Sequence, residues 1–180
     1  MKFRTLGTTD IKVSVICLGT MTWGEQNTEN QAFEQMDYAF AQGVNTIDVA
    51  EMYPVPPKAS TFGASEAIVG QWLSARGVRD EIVLATKVTG NGAHNPGFEH
   101  IRGGPALSAA QIKQAVDASL KRLQTDYIDL YQLHWPERKT NFFGRLGCVS
   151  IADNEQDIAL EESLLALADL VQAGKIRPVS

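Results

Sequence analysis

Ile82-Val83-Leu84-Ala85-Thr86-Lys87-Val88 decides how this chain folds. The run is aliphatic and β-branched on both alternations, with one charge, Lys87, near its end. A strand with no polar face is buried on both sides, as in a parallel sheet covered by helices. The flanking sequence agrees. Upstream, residues from about Gly63 to Ala75 read as a helix with Ile68, Val69, Trp72 and Leu73 on one side, closed by Gly77. Before that come a strand, Thr46-Ile47-Asp48-Val49-Ala50, and a helix over about Glu29 to Gln42. Thr28 caps this helix, Gln31 completes a capping box, Ala32, Met36 and Ala39 face inward, and Gly43 ends it. Ile16-Cys17-Leu18-Gly19-Thr20-Met21 is the first strand of the series.

Downstream, a loop rich in Gly, Asn and Pro runs to about Leu107. Ser108 then opens a third helix, with Gln111 as the partner in another capping box. Its inner face is Ile112, Ala115, Val116, Ser119, Leu120 and Leu123. Tyr127 to Trp135 is a fourth strand, stopped by Pro136, and a second long loop runs to about Gln156. A fourth helix is expected over Asp157 to Gln172, with Leu160, Leu164, Leu167 and Val171 inside and Gly174 at its end. Lys175 to Ser180 reads as the opening of a fifth strand, where Pro178 is an awkward residue because it removes a ladder donor. Ahead of it all, Lys2–Thr5 and Lys12–Val15 flank a Gly7-Thr8-Thr9-Asp10 turn and form a short β-hairpin, a plug for one end of the sheet. Strands alternating with amphipathic helices imply a parallel α/β sheet. A doubly wound sheet and a TIM barrel both satisfy this pattern.

Composition narrows the function classes. The chain has 180 residues, 44% hydrophobic and 21% charged, with a net charge of −5. A disordered chain is poorer in apolar residues. Nucleic-acid binding calls for a basic stripe, and this acidic chain has none. No apolar run approaches the ~18–20 residues of a membrane helix. The first ten residues lack a signal-peptide core, so a cytoplasmic location is the default expectation. Cys17 and Cys148 are far apart, and Cys17 sits in an apolar run, so a buried free thiol is expected rather than a disulfide. His94 and His100 lack a carboxylate or cysteine at ligand spacing, so no metal site is expected. Gly19 to Gly24 is not followed by the Lys-Ser/Thr of a P-loop, and Gly90-Asn91-Gly92 lacks the third glycine of a dinucleotide fingerprint.

The polar exceptions among the strands cluster at their C-terminal ends: Asp48, then Tyr53 five residues on, Lys87 and His134. Active sites of barrels and open α/β sheets form at these ends. Parity is consistent, since Val83, Ala85 and Lys87 share a face, as do Leu130, Gln132 and His134. The residue types suit protonation of an oxygen. A phenol has a pKa of about 10, and an ammonium beside it favours the phenolate. An Asp fixes the ammonium, and a His donates to a carbonyl oxygen. General acid catalysis of this kind contributes ~10²–10⁴-fold, and carbonyl reduction by hydride calls for it.

The residues also carry a resemblance. Gly43-Val44-Asn45-Thr46-Ile47-Asp48-Val49-Ala50, Tyr53 and Ser65-Glu66-Ala67-Ile68-Val69-Gly70 resemble the aldo-keto reductase signature, and Leu123 to Pro136 resembles the fourth strand of that family. Glu51-Met52-Tyr53-Pro54-Val55-Pro56-Pro57 and Gly19-Thr20-Met21-Thr22-Trp23-Gly24 are similar to the bacterial Tas-type NADP(H)-dependent branch. The resemblance implies a TIM (β/α)8 barrel, NADPH as cofactor, no metal and a small aldehyde or ketone as substrate. It implies Tyr53 as proton donor, Lys87 lowering its pKa, Asp48 pairing with Lys87, and His134 orienting the carbonyl. Thr20, Met21 and Asp48 then border the nicotinamide. Trp23 and Trp135 line the substrate pocket, with core packing as the alternative.

A TIM barrel needs eight βα units and ~250 residues. The chain holds four and the start of a fifth, so residues 1–180 are expected to form one partial barrel domain, a truncated copy or fragment of a full reductase, N-terminal half. In the family most grips on NADPH lie in later strands. A half barrel leaves open edges and an apolar face, from which an inactive, poorly stable monomer or self-association of two copies is expected. A non-catalytic cofactor-binding regulatory subunit and a Schiff-base aldolase using Lys87 are the other readings.

Overall fold

The computed structural model describes residues 1–92, 97–137 and 158–180. Cys148, His94, most of the second long loop and Asp157 lie outside these residues. Two short strands, β1 (Phe3–Thr5) and β2 (Lys12–Ser14), form an antiparallel hairpin with Phe3 opposite Ser14. Four parallel strands follow in the spatial order β3 (Cys17–Gly19), β4 (Thr46–Asp48), β5 (Val83–Val88) and β6 (Leu130–Leu133). Helices α1 (Glu29–Ala41), α2 (Ala64–Arg76), α3 (Ala109–Leu123) and α4 (Leu160–Gln172) alternate with them. Sequential order across the sheet, with a helix in each crossover, is the arrangement of a βα barrel, not of a doubly wound sheet, whose strand order reverses.

Local chemistry sets the element ends. Thr28 accepts a hydrogen bond from the Gln31 amide, and the Gln31 side chain accepts one from the Thr28 amide, so the expected capping box is complete. Gly77 ends α2 at φ +65°, a left-handed cap that glycine adopts without a Cβ penalty. At α3 only half of the expected box forms. The Ser108 hydroxyl accepts from the Gln111 amide. The Gln111 side chain turns to the preceding loop instead, where its Oε1 accepts from Ala106 N at 3.0 Å and Arg102 Nε at 3.1 Å.

The hairpin is pinned to the start of β4. Asn45 accepts from Ser14 N and donates to the Lys12 carbonyl, both at 2.8 Å, which puts the hairpin at the N-terminal end of the sheet. On the sheet's outer side, Leu84, Thr86 and Tyr131 pack with Met36, Trp72, Ile112 and Val116 into the core. Helices α2 and α3 meet at Gly70. A Cβ there would lie 2.2 Å from the Arg122 carbonyl oxygen, so the backbones touch only because the side chain is absent.

Two expectations need correction, and a third holds. The inner face of α4 is Ser163, Ala166, Leu167 and Leu170, while Leu160, Leu164 and Val171 are exposed. Small residues let α4 lie close, and the Ser163 hydroxyl donates to the Leu107 carbonyl at 2.7 Å. Cys17 is a free thiol but exposed, because β3 is the outermost of the described parallel strands. Residues 175–180 do run parallel to β6, with Ile128 opposite Ile176 and Tyr131 opposite Val179. Pro178 fits because Arg177 N and Ser180 N supply the donors to this edge, and Pro178 contributes only its carbonyl, which accepts from Tyr131 N.

Candidate active site

The register brings three strand ends together. Asp48 ends β4 opposite Ala85, and the ladder continues as Val49 N donates to Ala85 O and Glu51 N to Lys87 O. Lys87 lies opposite Gln132, and His134 N donates to Val88 O just beyond β6. A turn closed by Tyr53 N donating to Ala50 O at 3.0 Å sets Tyr53 above β4. All four predicted polar residues therefore gather at the C-terminal end of the sheet.

Within this cluster Lys87 is the hub. Its ammonium lies 2.7 and 2.8 Å from the two Asp48 carboxylate oxygens and donates to the Val49 carbonyl at 2.9 Å. It also sits 5.0 Å from the centroid of the Tyr53 ring. Tyr53 and His134 meet edge-on, ring centroids 5.7 Å apart at 77°. The electrostatics differ from the sequence expectation. The Tyr53 phenol is raised above its ordinary pKa by burial and by the Asp48 carboxylate, rather than lowered by Lys87. Lys87 directs its protons to Asp48 and Val49, so Asp48 offsets its charge at the phenol. Tyr53 thus keeps its proton at neutral pH. His134 is pushed down to about 4 by burial, then by the Lys87 charge, against the opposing pull of Glu51. It is a neutral imidazole at pH 7, able to donate one hydrogen bond.

The remaining predicted residues divide. Thr20 is fully buried, and its hydroxyl donates to the Asp48 carbonyl at 3.0 Å, so it supports the cluster from behind and does not face a ring above it. Met21 is exposed, while its carbonyl accepts from Val55 N. Trp23 is only 1% exposed, with its indole N–H on Gln35 of α1 at 2.9 Å. It packs in the core, the alternative that the sequence left open for it. Trp135 is 8% exposed, 5.0 Å from the His134 ring, and donates to the Asn91 carbonyl at 3.0 Å.

Sequence reading missed two fully buried carboxylates. Glu51 accepts from Thr89 N and binds the Arg102 guanidinium through both oxygens, at 2.6 and 2.8 Å. Glu66 accepts from the Thr86 hydroxyl at 2.6 Å and binds Arg122 at 2.6 Å. A signal existed for Glu66, which lies three residues before Val69 on the apolar face of α2. For Glu51 the signal was its place between Ala50 and Met52 at a strand exit.

The protonated Tyr53 phenol and the neutral His134 imidazole suit the reacting end of a nicotinamide cofactor and its carbonyl partner. Arg102 and Arg122 are not placed to grip a phosphate, because their guanidinium groups are spent on Glu51 and Glu66. Among the described residues no group of His, Cys, Asp and Glu is placed to hold a metal ion, and no helix is long and apolar enough to cross a membrane.

A parallel βα sheet in barrel order, with a Lys–Asp pair, a phenol and an imidazole at its C-terminal strand ends, defines a segment of a TIM-barrel protein. The chain belongs to the aldo/keto reductase family, whose model matches residues 15–180. It is 50% identical over 177 residues to Protein tas of Escherichia coli, covering 98% of this chain and 50% of that protein. Aldo-keto reductase YhdN of Bacillus subtilis is 35% identical over 184 residues, covering 99% of this chain and 46% of that protein. Among solved structures, aldo-keto reductase AKR11C1 from Bacillus halodurans (holo form) superposes with a TM-score of 0.70 at 37% identity, covering all of this chain and 50% of that one. The chain spans about half the length of the curated relatives it matches.

Proposed function

We propose that this chain carries the proton-transfer site of a cytoplasmic, NADPH-dependent carbonyl reductase that converts small aldehydes or ketones to alcohols. The observation that carries the reading is the Lys87–Asp48 pair, 2.7–2.8 Å, beneath a protonated Tyr53 that meets His134 edge-on. Bound NADPH supplies the hydride for the carbonyl carbon. The chain's own residues manage the oxygen. Neutral His134 donates a hydrogen bond that orients the carbonyl. Tyr53 gives up its proton as negative charge grows on the oxygen, and the Lys87 ammonium beside the ring face stabilises the phenolate left behind. Asp48 and the Val49 carbonyl hold that ammonium in place.

Schiff-base chemistry at Lys87 is the weaker reading, since an amine bonded to a carboxylate and a carbonyl is poorly placed as a nucleophile. A purely regulatory, cofactor-binding role leaves the cluster without a purpose. Self-association belongs to the same proposal, supported by exposed Ile16 beside β3 and by Leu160, Leu164 and Leu165 on α4. A Tyr53→Phe variant that loses reduction but keeps NADPH binding supports the proposed chemistry. Unchanged turnover contradicts it.

A further inference from the structure

Glu51 has no part in the proton transfer described above, yet it is the most completely engaged carboxylate near the site. It is fully buried, two residues before Tyr53. One oxygen accepts from Thr89 N at 2.7 Å, just past Lys87. Both oxygens hold Arg102, which lies in the loop between β5 and α3 at φ +52°. Arg102 in turn reaches Gln111 in the first turn of α3, and Gln111 grips the same loop at Ala106 N and the Gly104 carbonyl. The loop is thus tied at both its ends to rigid elements.

Its contacts lead back to His134. Phe98 packs edge-on against Trp135, centroids 6.1 Å apart, and Trp135 packs on His134. No slack exists in the stack. A Cβ on Gly90 would lie 2.5 Å from the Trp135 indole, and one on Gly92 would lie 2.6 Å from Pro105 and 3.1 Å from Phe98. Glu137 adds a second tie, accepting from the Asn91 side chain and from Leu107 N. We propose that Glu51 is a positioning residue: with Arg102 it latches residues 97–107 in place, so that Phe98 backs Trp135 against the His134 imidazole. The inference rests on the role given to His134 above and names a determinant of how that imidazole is aimed.

Two roles for Glu51 predict opposite signs. Among the described residues, burial and then Lys87 on β5 lower the His134 pKa, and Glu51 raises it; Tyr53 and Trp135 are ring neighbours, and Asp48 pairs Lys87. If Glu51 acts only as a charge, Glu51→Gln drives the His134 midpoint further down, Arg102→Met raises it by leaving the carboxylate unneutralised, and neither variant changes exchange of the Trp135 indole N–H. If Glu51 acts as a latch, both variants loosen the cover, water reaches the imidazole, and the midpoint rises by about one unit toward its ordinary value. The test is an NMR titration of the His134 ring protons in the full, ligand-free chain, with exchange of the Trp135 indole N–H, now bonded to Asn91, as the second readout. A rise in both variants, faster indole exchange, and partial restoration in Arg102→Lys are the expected results. A fall in Glu51→Gln with indole exchange unchanged overturns the latch. Should Glu51→Gln not fold, indole exchange in Arg102→Met decides: faster exchange supports the latch and unchanged exchange overturns it. No turnover is read, so failure of the reductase proposal is seen separately.

Discussion

The Lys87 ammonium lies 5.0 Å from the centroid of the Tyr53 ring while its hydrogen bonds run to Asp48 and the Val49 carbonyl. The resting phenol is left protonated, and in the proposed chemistry the cation serves the phenolate that forms. Lys87→Met removes a charge that holds the His134 pKa down and leaves Asp48 without its partner. An NMR titration of His134 in this variant is expected to show a midpoint above the about 4 of the parent. An unchanged or lower midpoint contradicts the electrostatic account.

The His134 shift makes stability depend on pH. Its folded pKa, about 4, lies below the ordinary 6.5. The unfolded chain therefore binds more protons between these values, and stability rises with pH there. The contribution is fully present above about pH 6.5 and is lost as pH falls through 4. It is on the order of 3 kcal/mol at most, at ~1.4 kcal/mol per pKa unit. Urea unfolding at pH 7 and pH 5 is expected to show a loss that His134→Gln largely removes. An identical loss in the variant contradicts this.

Gly70→Ala sets helix propensity against packing. Alanine gains about 1 kcal/mol over glycine inside a helix. Its methyl must also fit 2.2 Å from the Arg122 carbonyl oxygen and 2.7 Å from Leu123 Cα, both backbone atoms. Overpacking typically costs ~1–3 kcal/mol, and backbone cannot swing aside as a side chain can. Net destabilisation by denaturant titration is expected, and a stabilised variant would sink the α2–α3 contact.

Self-association is proposed from exposed Ile16 beside β3 and from Leu160, Leu164 and Leu165 on α4. Sedimentation velocity of the chain at micromolar concentration is expected to show species larger than 19.6 kDa, with Leu164→Glu returning it toward monomer. Monomer throughout counts against it.

Much of this was readable from the chain. The apolar run at Val83–Val88 dictated a strand buried on both faces, and strand parity placed Lys87 and His134 at one end. The Thr28–Gln31 box and Gly77 marked helix ends because capping is local chemistry. What failed depends on neighbours. Helix α4 has leucine on more than one side, so spacing alone could not choose its inner face; α3 and the Leu107 carbonyl chose it through Ser163. Trp23 and Trp135 look alike in sequence, and their neighbours separate them: Trp23 bonds Gln35 of α1, while Trp135 lies against His134. The direction of the Tyr53 shift was hidden because it turns on burial and on Asp48.

In the proposed reaction Tyr53 delivers the proton during NADPH-dependent carbonyl reduction. The most direct measurement joins residues 1–180 to the part of Escherichia coli Tas that this chain does not match, and follows NADPH consumption with a panel of aldehydes, with and without Tyr53→Phe. The account predicts alcohol formed in step with NADPH consumed, and a loss of ~10²–10⁴-fold on removing the phenol hydroxyl with NADPH binding retained. A folded, NADPH-binding chimaera that reduces none of the panel, or one in which Tyr53→Phe turns over as fast as its parent, would contradict it.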